Sequence, residues 1–277
     1  MTVKFGFGQP LTRKEDDPLL RGAGRYIADV SPAKPLQAVV IRSPHAHARF
    51  RIGDLARVRT LPGVRLVLTA ADISTLGPLP TPGVLPDVAI EIPDYPILAK
   101  DVVRHVGDAV AFVVADSLDA AKDAAEAVEI EWQQLPHVIG AVAALKPGAP
   151  KVWADRADNL SFETEVGDAR ATREAFANAA HIVELTIVNQ RLVTNYLDTR
   201  GVVAEYDGER YTLTLGSQGS HIIRDIIGAA VMKLPPEKMR VVTPDVGGGF
   251  GTKLFPYREY ALAAVAACFG REAAPLP

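Results

Sequence analysis

Cysteine is nearly missing from this 277-residue sequence, in which Cys268 stands alone. One thiol excludes an internal disulfide framework, and it excludes a four-thiolate iron–sulfur cluster or zinc site made by a single chain. Any iron–sulfur carrier needed for electron transfer would therefore sit on another polypeptide. Cys268 lies in the Ala-rich run "YALAAVAACF" (260–269), where it reads as a small buried hydrophobe. Long apolar runs are lacking too, since that stretch is about half the length of a membrane-spanning helix. The N-terminal "MTVKFGFGQPLTRKEDD" carries no continuous apolar segment of a secretory signal, so the expected location is cytoplasmic. There is no basic excess. A net charge of −3 gives no electrostatic reason to expect nucleic acid or an anionic membrane as partner. What is present, 48% hydrophobic and 23% charged residues, suits a soluble globular protein with a substantial core, in one large domain or two ordinary ones.

The runs "LQAVVIRS" (36–43) and "VRLVLT" (64–69), β-branched and bounded by Pro and Gly, predict strands. The proline-rich 76–96 predicts a long surface connection with one edge strand. "AVAFVVA" (109–115) is a continuous apolar run, as expected of a strand covered on both faces. "DSLDAAKDAAEAV" (116–128) follows as a helix capped by Asp116 or Ser117, and "VEIEWQQL" (128–135) returns as a strand, making a β-α-β segment. The Ala-, Pro- and Gly-rich 140–159 reads as a linker. Beyond it the sequence predicts a helix over 169–180 and a half-exposed alternating strand, "HIVELTIVNQ" (181–190). A hairpin around Asp207-Gly208 follows, then a regular amphipathic helix over 220–234, a strand at 239–243 and a last helix over about 257–269. No internal repeat is visible, and the fold class is α+β in two domains.

The densest glycine cluster is "DVGGGFGTK" (245–253). Its glycines permit unusual backbone conformations and let amide N–H groups approach a ligand. Its spacing fits neither common nucleotide motif. A Walker A loop needs Gly-Lys-Ser/Thr, and here Thr252 separates Gly251 from Lys253; a dinucleotide fingerprint from Gly247 finds Thr252 where glycine is required. A tight strand-to-helix turn and a ligand cradle both remain open, with Phe250 as a wall against something flat. Gln218, between glycines at a strand end, either caps the next helix or offers its amide to a ligand. His45 and His47 share one face of a strand but have no third ligand nearby, so they read as solvated or hydrogen-bonded. No Gly-x-Ser-x-Gly elbow is present, and the arginines of "LARVRTLPGVR" read as a solvated face.

Several segments together carry a resemblance that no single one does: "RGAGRYIADV" (21–30), "VIRSPHAHARF" (40–50), "LPGVRLVLTAADI" (61–73), the long 106–136, "VVAEYDG" (202–208), "SQGSH" (217–221) and the glycine loop, in that order. The set resembles the molybdenum-binding large subunit of the xanthine oxidase family, of the bacterial aldehyde oxidase and carbon monoxide dehydrogenase type, over about residues 12–271. The resemblance implies an α/β hammerhead domain in 1–140 (core about 20–136), a linker in 141–159, and the incomplete N-terminal part of a molybdopterin-binding domain in 160–277. It implies that Gly248, Gly249, Phe250 and Gly251 lie against the molybdenum pterin and that Gln218 hydrogen-bonds near an oxo ligand. The implied cofactor is molybdopterin with molybdenum, in the cytosine dinucleotide form. FAD and 2Fe-2S clusters are implied on partner subunits, and a further polypeptide would carry the remaining C-terminal molybdopterin-binding region.

The implied reaction is oxidative hydroxylation of an aldehyde, an N-heterocycle or carbon monoxide with water-derived oxygen. Family members continue well past this loop, and the glutamate that serves as base belongs to that later part, so no catalytic residue is assigned here. The chain alone is expected to be inactive, with apolar surface left on 222–234 and 257–269. Where the family often shows Met-Glu-Pro-Arg, this chain has Leu197, Asp198, Thr199 and Arg200, a shortened acid and a lost proline that bear on local cofactor or substrate geometry. The rival expectation is a non-catalytic assembly subunit or an inactive truncated remnant of the family.

Overall fold

Apolar runs become strands here where a partner strand is at hand to complete their hydrogen bonds. The computed structural model describes residues 10–81, 88, 90 and 92–269. Helix α1 (Asp16–Leu20) precedes β1 (Gln37–Arg42), β2 (Ala48–Ile52), α2 (Ala56–Arg59), β3 (Val64–Thr69), β4 (Val102–Val103), β5 (Ala109–Ala115), α3 (Leu118–Glu126) and β6 (Ile130–Gln134). The six strands build two antiparallel sheets, in the orders β1-β5-β3 and β4-β2-β6. All seven residues of β5 are buried. Phe112 and Val114 enter the main apolar cluster, while Val113 joins a second cluster beneath α3 and Val110 a third. Ser117 caps α3 by accepting from Ala120 N–H, whereas Asp116 pairs with Arg65 instead.

One expectation needs correction in this half. β5, α3 and β6 follow one another along the chain, but the two strands belong to different sheets, because β6 pairs with β2 from Ala48↔Gln134 to Ile52↔Ile130. The edge strand expected within 76–96 falls largely outside the described residues, and the described ones carry no strand.

The second half holds α4 (Ala141–Ala144), α5 (Ala169–Ala177), β7 (Val202–Tyr206), β8 (Tyr211–Leu215), α6 (Ser220–Arg224), β9 (Met239–Val242) and α7 (Arg258–Phe269). β8 pairs antiparallel with β7 and parallel with β9. The hairpin closes with four residues rather than a two-residue turn. Asp207 Oδ1 accepts from the N–H groups of Glu209 and Arg210, and Gly208 takes φ 107°. After α6 the helix widens into a π-helix over Asp225–Val231. The apolar positions repeat every four residues, which overshoots the α-helical turn, and the wider i→i+5 turn keeps the fully buried Ile223, Ile227 and Val231 in line. The whole is α+β.

The strand expected at 181–190 does not form. Among the described residues no strand lies beside this segment, and no backbone–backbone hydrogen bond involves 181–193. A lone strand leaves every N–H and C=O to water, so alternation without a neighbour gives only an exposed segment. The apolar surface expected on 222–234 and 257–269 is mostly internal, because α6, its π continuation and α7 close on their own sheet around Leu213, Leu215 and Met239. A dense run of exposed apolar side chains lies instead between Leu160 and Leu197.

One cluster spans both halves, joining Leu68, Phe112 and Val114 to Leu213, Ile223, Leu262 and Cys268. A buried ion pair closes its edge. The Arg258 guanidinium at the start of α7 donates to Asp108 Oδ1 and stacks 3.7 Å from the centre of the Tyr95 ring. Burial holds the His105 imidazole below its ordinary pKa against the opposing pull of Asp108, so at neutral pH the ionic partner of Asp108 is Arg258. Arg42 adds a more exposed pair with Glu259. Asp108→Ala, which leaves Arg258 buried and unpaired, is expected to destabilise the fold by about 3–5 kcal/mol. The double replacement Asp108→Leu with Arg258→Met should recover most of that loss, and urea titration of the three variants checks both values.

Candidate cofactor site

The glycine loop is held at its base by three contacts from distant segments. Asp245 and Arg25 exchange hydrogen bonds, Asp245 N–H to the Arg25 carbonyl at 2.9 Å and Arg25 N–H to Asp245 Oδ2 at 2.8 Å. Gly247 N–H donates to Asp198 Oδ2 at 3.0 Å. Gln218, at the end of β8, accepts through Oε1 from Gly251 N–H at 3.0 Å and from Lys253 N–H at 3.3 Å, and its own N–H donates to the Lys253 carbonyl. The predicted residues Gln218, Gly248, Gly249, Phe250 and Gly251 thus lie together, with the glutamine acting as the clip of the loop.

Beneath the loop lies an ion pair that sequence reasoning missed. Lys253 is fully buried, and its Nζ donates to both the carbonyl and Oδ2 of Asp198 at 2.6 Å, 4.7 Å from the centre of the Tyr196 ring. Asp198, the shortened acid of this segment, is therefore engaged through Oδ2 by both Lys253 and Gly247. In sequence Lys253 stands out only as misplaced for a Walker loop, and nothing local links it to a residue 55 positions earlier. Arg200, two residues on, stacks 3.7 Å from the centre of the Tyr257 ring, which anchors the same segment to the start of α7.

The glycines divide by role. A Cβ at Gly247 would lie 2.5 Å from Asp198 Cβ, and one at Gly249 would lie 2.5 Å from Gln218 Oε1, so these two let the loop press onto its supports. Gly248 and Gly251 take φ of 103° and 89°, and a Cβ at Gly251 would meet open space. Phe250 also adopts positive φ, 47°, and projects with 73% of its surface exposed. Among the described residues the N–H groups of Gly248, Gly249 and Phe250 have no acceptor. Three consecutive amides without acceptors at a positive-φ turn are donors available to an electron-rich ligand.

The other candidates take ordinary places. His45 packs edge-on against Trp132, and His47 Nδ1 lies 2.9 Å from the Pro136 carbonyl oxygen. Among the described residues no three His, Cys, Asp or Glu side chains converge as a metal site, and no helix is long and apolar enough to cross a membrane. Cys268 is buried in α7.

The α+β scaffold thus presents a clipped glycine loop whose apex amides are free among the described residues. Residues 21–136 match the family model described as aldehyde oxidase and xanthine dehydrogenase, a/b hammerhead domain, and residues 152–272 match the molybdopterin cofactor-binding domain. The carbon monoxide dehydrogenase large chain of Afipia carboxidovorans is 34% identical over 94% of this chain and 33% of its own length. The nicotinate dehydrogenase large molybdopterin subunit of Eubacterium barkeri is 33% identical over 84% of this chain and 52% of its own length. The crystal structure of quinoline 2-oxidoreductase from Pseudomonas putida 86 superposes with a TM-score of 0.81 at 35% identity, covering 93% of this chain and 32% of that one. The chain belongs to the xanthine oxidase family of molybdenum enzymes and corresponds to the N-terminal portion of their large subunits. It spans about a third to a half of the length of these relatives.

Removing the lysine charge with Lys253→Met should leave Asp198 with only the Gly247 amide and cost about 3–5 kcal/mol. Gly247→Ala drives a methyl into a side chain pinned by that pair, and about 3 kcal/mol is expected. Gly251→Ala has open space and should cost only the positive-φ strain, about 1–2 kcal/mol. Shifts in urea midpoint should follow this order, and an equal cost for the two alanines would contradict the packing role of Gly247.

Proposed function

We propose that this chain contributes one wall of the molybdopterin site of a molybdenum hydroxylase, in a complex that oxidatively hydroxylates an aldehyde, an N-heterocycle or carbon monoxide. The observation that carries this reading is the apex of the glycine loop, where three amides without acceptors stand beside the Gln218 carboxamide. Gln218 spends its oxygen on the loop, while no partner engages its NH2 group among the described residues. The donor set fits the group. Backbone N–H and amide NH2 donors suit oxygen-rich and sulfur-rich cofactor edges, and Phe250 supplies an exposed flat face beside them. When bound, the cofactor supplies two-electron oxidation with oxygen taken from water.

The residues of this chain orient that cofactor and keep its environment fixed. The Lys253–Asp198 pair holds the loop base, Gln218 clips the loop through Gly251 and Lys253, and Gly248 and Gly251 provide its positive-φ turn. The cytosine dinucleotide form of the cofactor, an FAD subunit, a 2Fe-2S subunit and a polypeptide carrying the rest of the molybdopterin-binding region belong to the same proposal. The single cysteine supports iron–sulfur clusters on another chain. The Eubacterium barkeri relative, which this chain covers to about half, supports a large subunit shorter than that of the other relatives. The division into a hammerhead domain to residue 140, a connector over 141–159 and a molybdopterin region from 160 is likewise proposed; the hammerhead match ends at 136 and the molybdopterin match begins at 152, within the connector.

Metal analysis of the affinity-purified native complex tests the reading. One molybdenum per copy of this chain is expected, and Gln218→Ala should weaken metal retention about 10–100-fold, as loss of a supporting shell does elsewhere. An assembled complex with no molybdenum and no pterin would leave the assembly role in its place.

A further inference from the structure

Residues 181–193 combine three properties rarely found together on a protein surface. The alternation of "HIVELTIVNQ" puts Val183, Leu185 and Ile187 on one face of an extended segment, and these are 92%, 78% and 78% exposed. Ile182, Val188, Leu192 and Val193 are also exposed, so the apolar surface runs the length of the segment. No backbone–backbone hydrogen bond among the described residues uses any of its N–H or C=O groups. Just upstream, α5 buries none of its residues and leaves Phe176 exposed. A bare row of donors and acceptors with apolar side chains is a template for pairing with another strand, and contiguous apolar surface of this extent marks an interaction site.

We infer that residues 181–193 form the edge onto which a β-strand is added, and that the strand comes from the polypeptide region following the portion matched here in the family's large subunits. This inference rests on the proposed function. Two observations choose that occupant. The segment lies inside the 152–272 match to the molybdopterin cofactor-binding domain, and the chain spans only about a third of the Afipia carboxidovorans relative, so most of the length of such subunits is still to be placed. The segment also leads directly into the loop's support. Thr194 Oγ1 bonds Thr252 Oγ1 at 3.1 Å, and Tyr196 and Asp198 follow beneath the loop. A strand added at 181–193 would therefore order the approach to Asp198 and join the two walls of the cofactor site through backbone pairing.

Hydrogen–deuterium exchange on two samples tests this: the isolated chain, and the tagged chain purified with its partner from the native host, the partner being identified by peptide mass spectrometry. Amides of 181–193 should exchange at nearly free rates in the isolated chain and at least 100-fold more slowly in the complex. Leu185→Lys with Ile187→Lys should abolish co-purification while the far-ultraviolet spectrum and the urea midpoint of the chain stay unchanged. Free exchange of this segment in the complex overturns the inference, as does failure to capture a partner related to the family's molybdopterin-binding region. Protection in the isolated chain accompanied by dimerisation in sedimentation overturns it in favour of a second copy. A protected segment in a complex without molybdenum would refute the proposed function and leave the strand addition standing. Molybdenum in a complex whose segment exchanges freely would do the reverse.

Discussion

The buried pair between Lys253 and Asp198 is the contact on which the candidate site depends. Neither charge can be left alone in a site this dry, and each of the two hydrogen bonds from Nζ is short. The pair joins the segment before β7 to the segment after β9, and Asp198 also receives the Gly247 amide. The lysine backbone is tied in turn to Gln218, both as donor to its side chain and as acceptor from its N–H. Three stretches far apart in sequence thus meet at one ammonium group. The apex amides find no acceptor among the described residues, while Asp198 Oδ2 and Gln218 Oε1 accept from other groups at the loop base.

This arrangement explains the glycine count better than ligand approach alone. Gly247 and Gly249 face inward, where Asp198 and Gln218 leave no room for a Cβ, whereas Gly251 faces outward into open space at a positive φ. Packing on one side and backbone handedness on the other require the same residue for different reasons. Phe250 is the exception that carries a side chain, and its exposure beside the free amides is a cost in water that a flat ligand would remove.

Much of the fold was legible because local periodicity and tertiary burial agree in it. The run 109–115 reads as a strand buried on both faces, and three separate apolar clusters do cover it. The glycine loop and Gln218 were legible as a set through their order along the chain. What was not legible depends on long-range pairing. Asp108 with Arg258 and Asp198 with Lys253 are separated by 150 and 55 residues, and a charged residue gives no local sign that it will be buried. The sheet assignment of β6 and the widening of the helix after α6 were hidden for the same reason, since each is decided by a neighbour. The hairpin differs in kind. Asp-Gly signals a turn reliably, but the number of loop residues depends on how Asp207 caps the following amides.

The segment 181–193 shows what periodicity means when burial does not follow it. Alternation is a statement about surroundings: one face is to be covered and both edges are to be paired. In β7, β8 and β9 that demand is met inside the chain, and the side chains of β8 are almost wholly buried. In 181–193 the same pattern is present and nothing in the described residues meets it. The two cases differ in the availability of a partner and not in the quality of the pattern. A strand can therefore be encoded correctly in a sequence and still wait for a ladder from elsewhere. Under the strand addition proposed above, this segment leads into the residues that hold the glycine loop, so completing the sheet and completing the proposed cofactor site would be one assembly step.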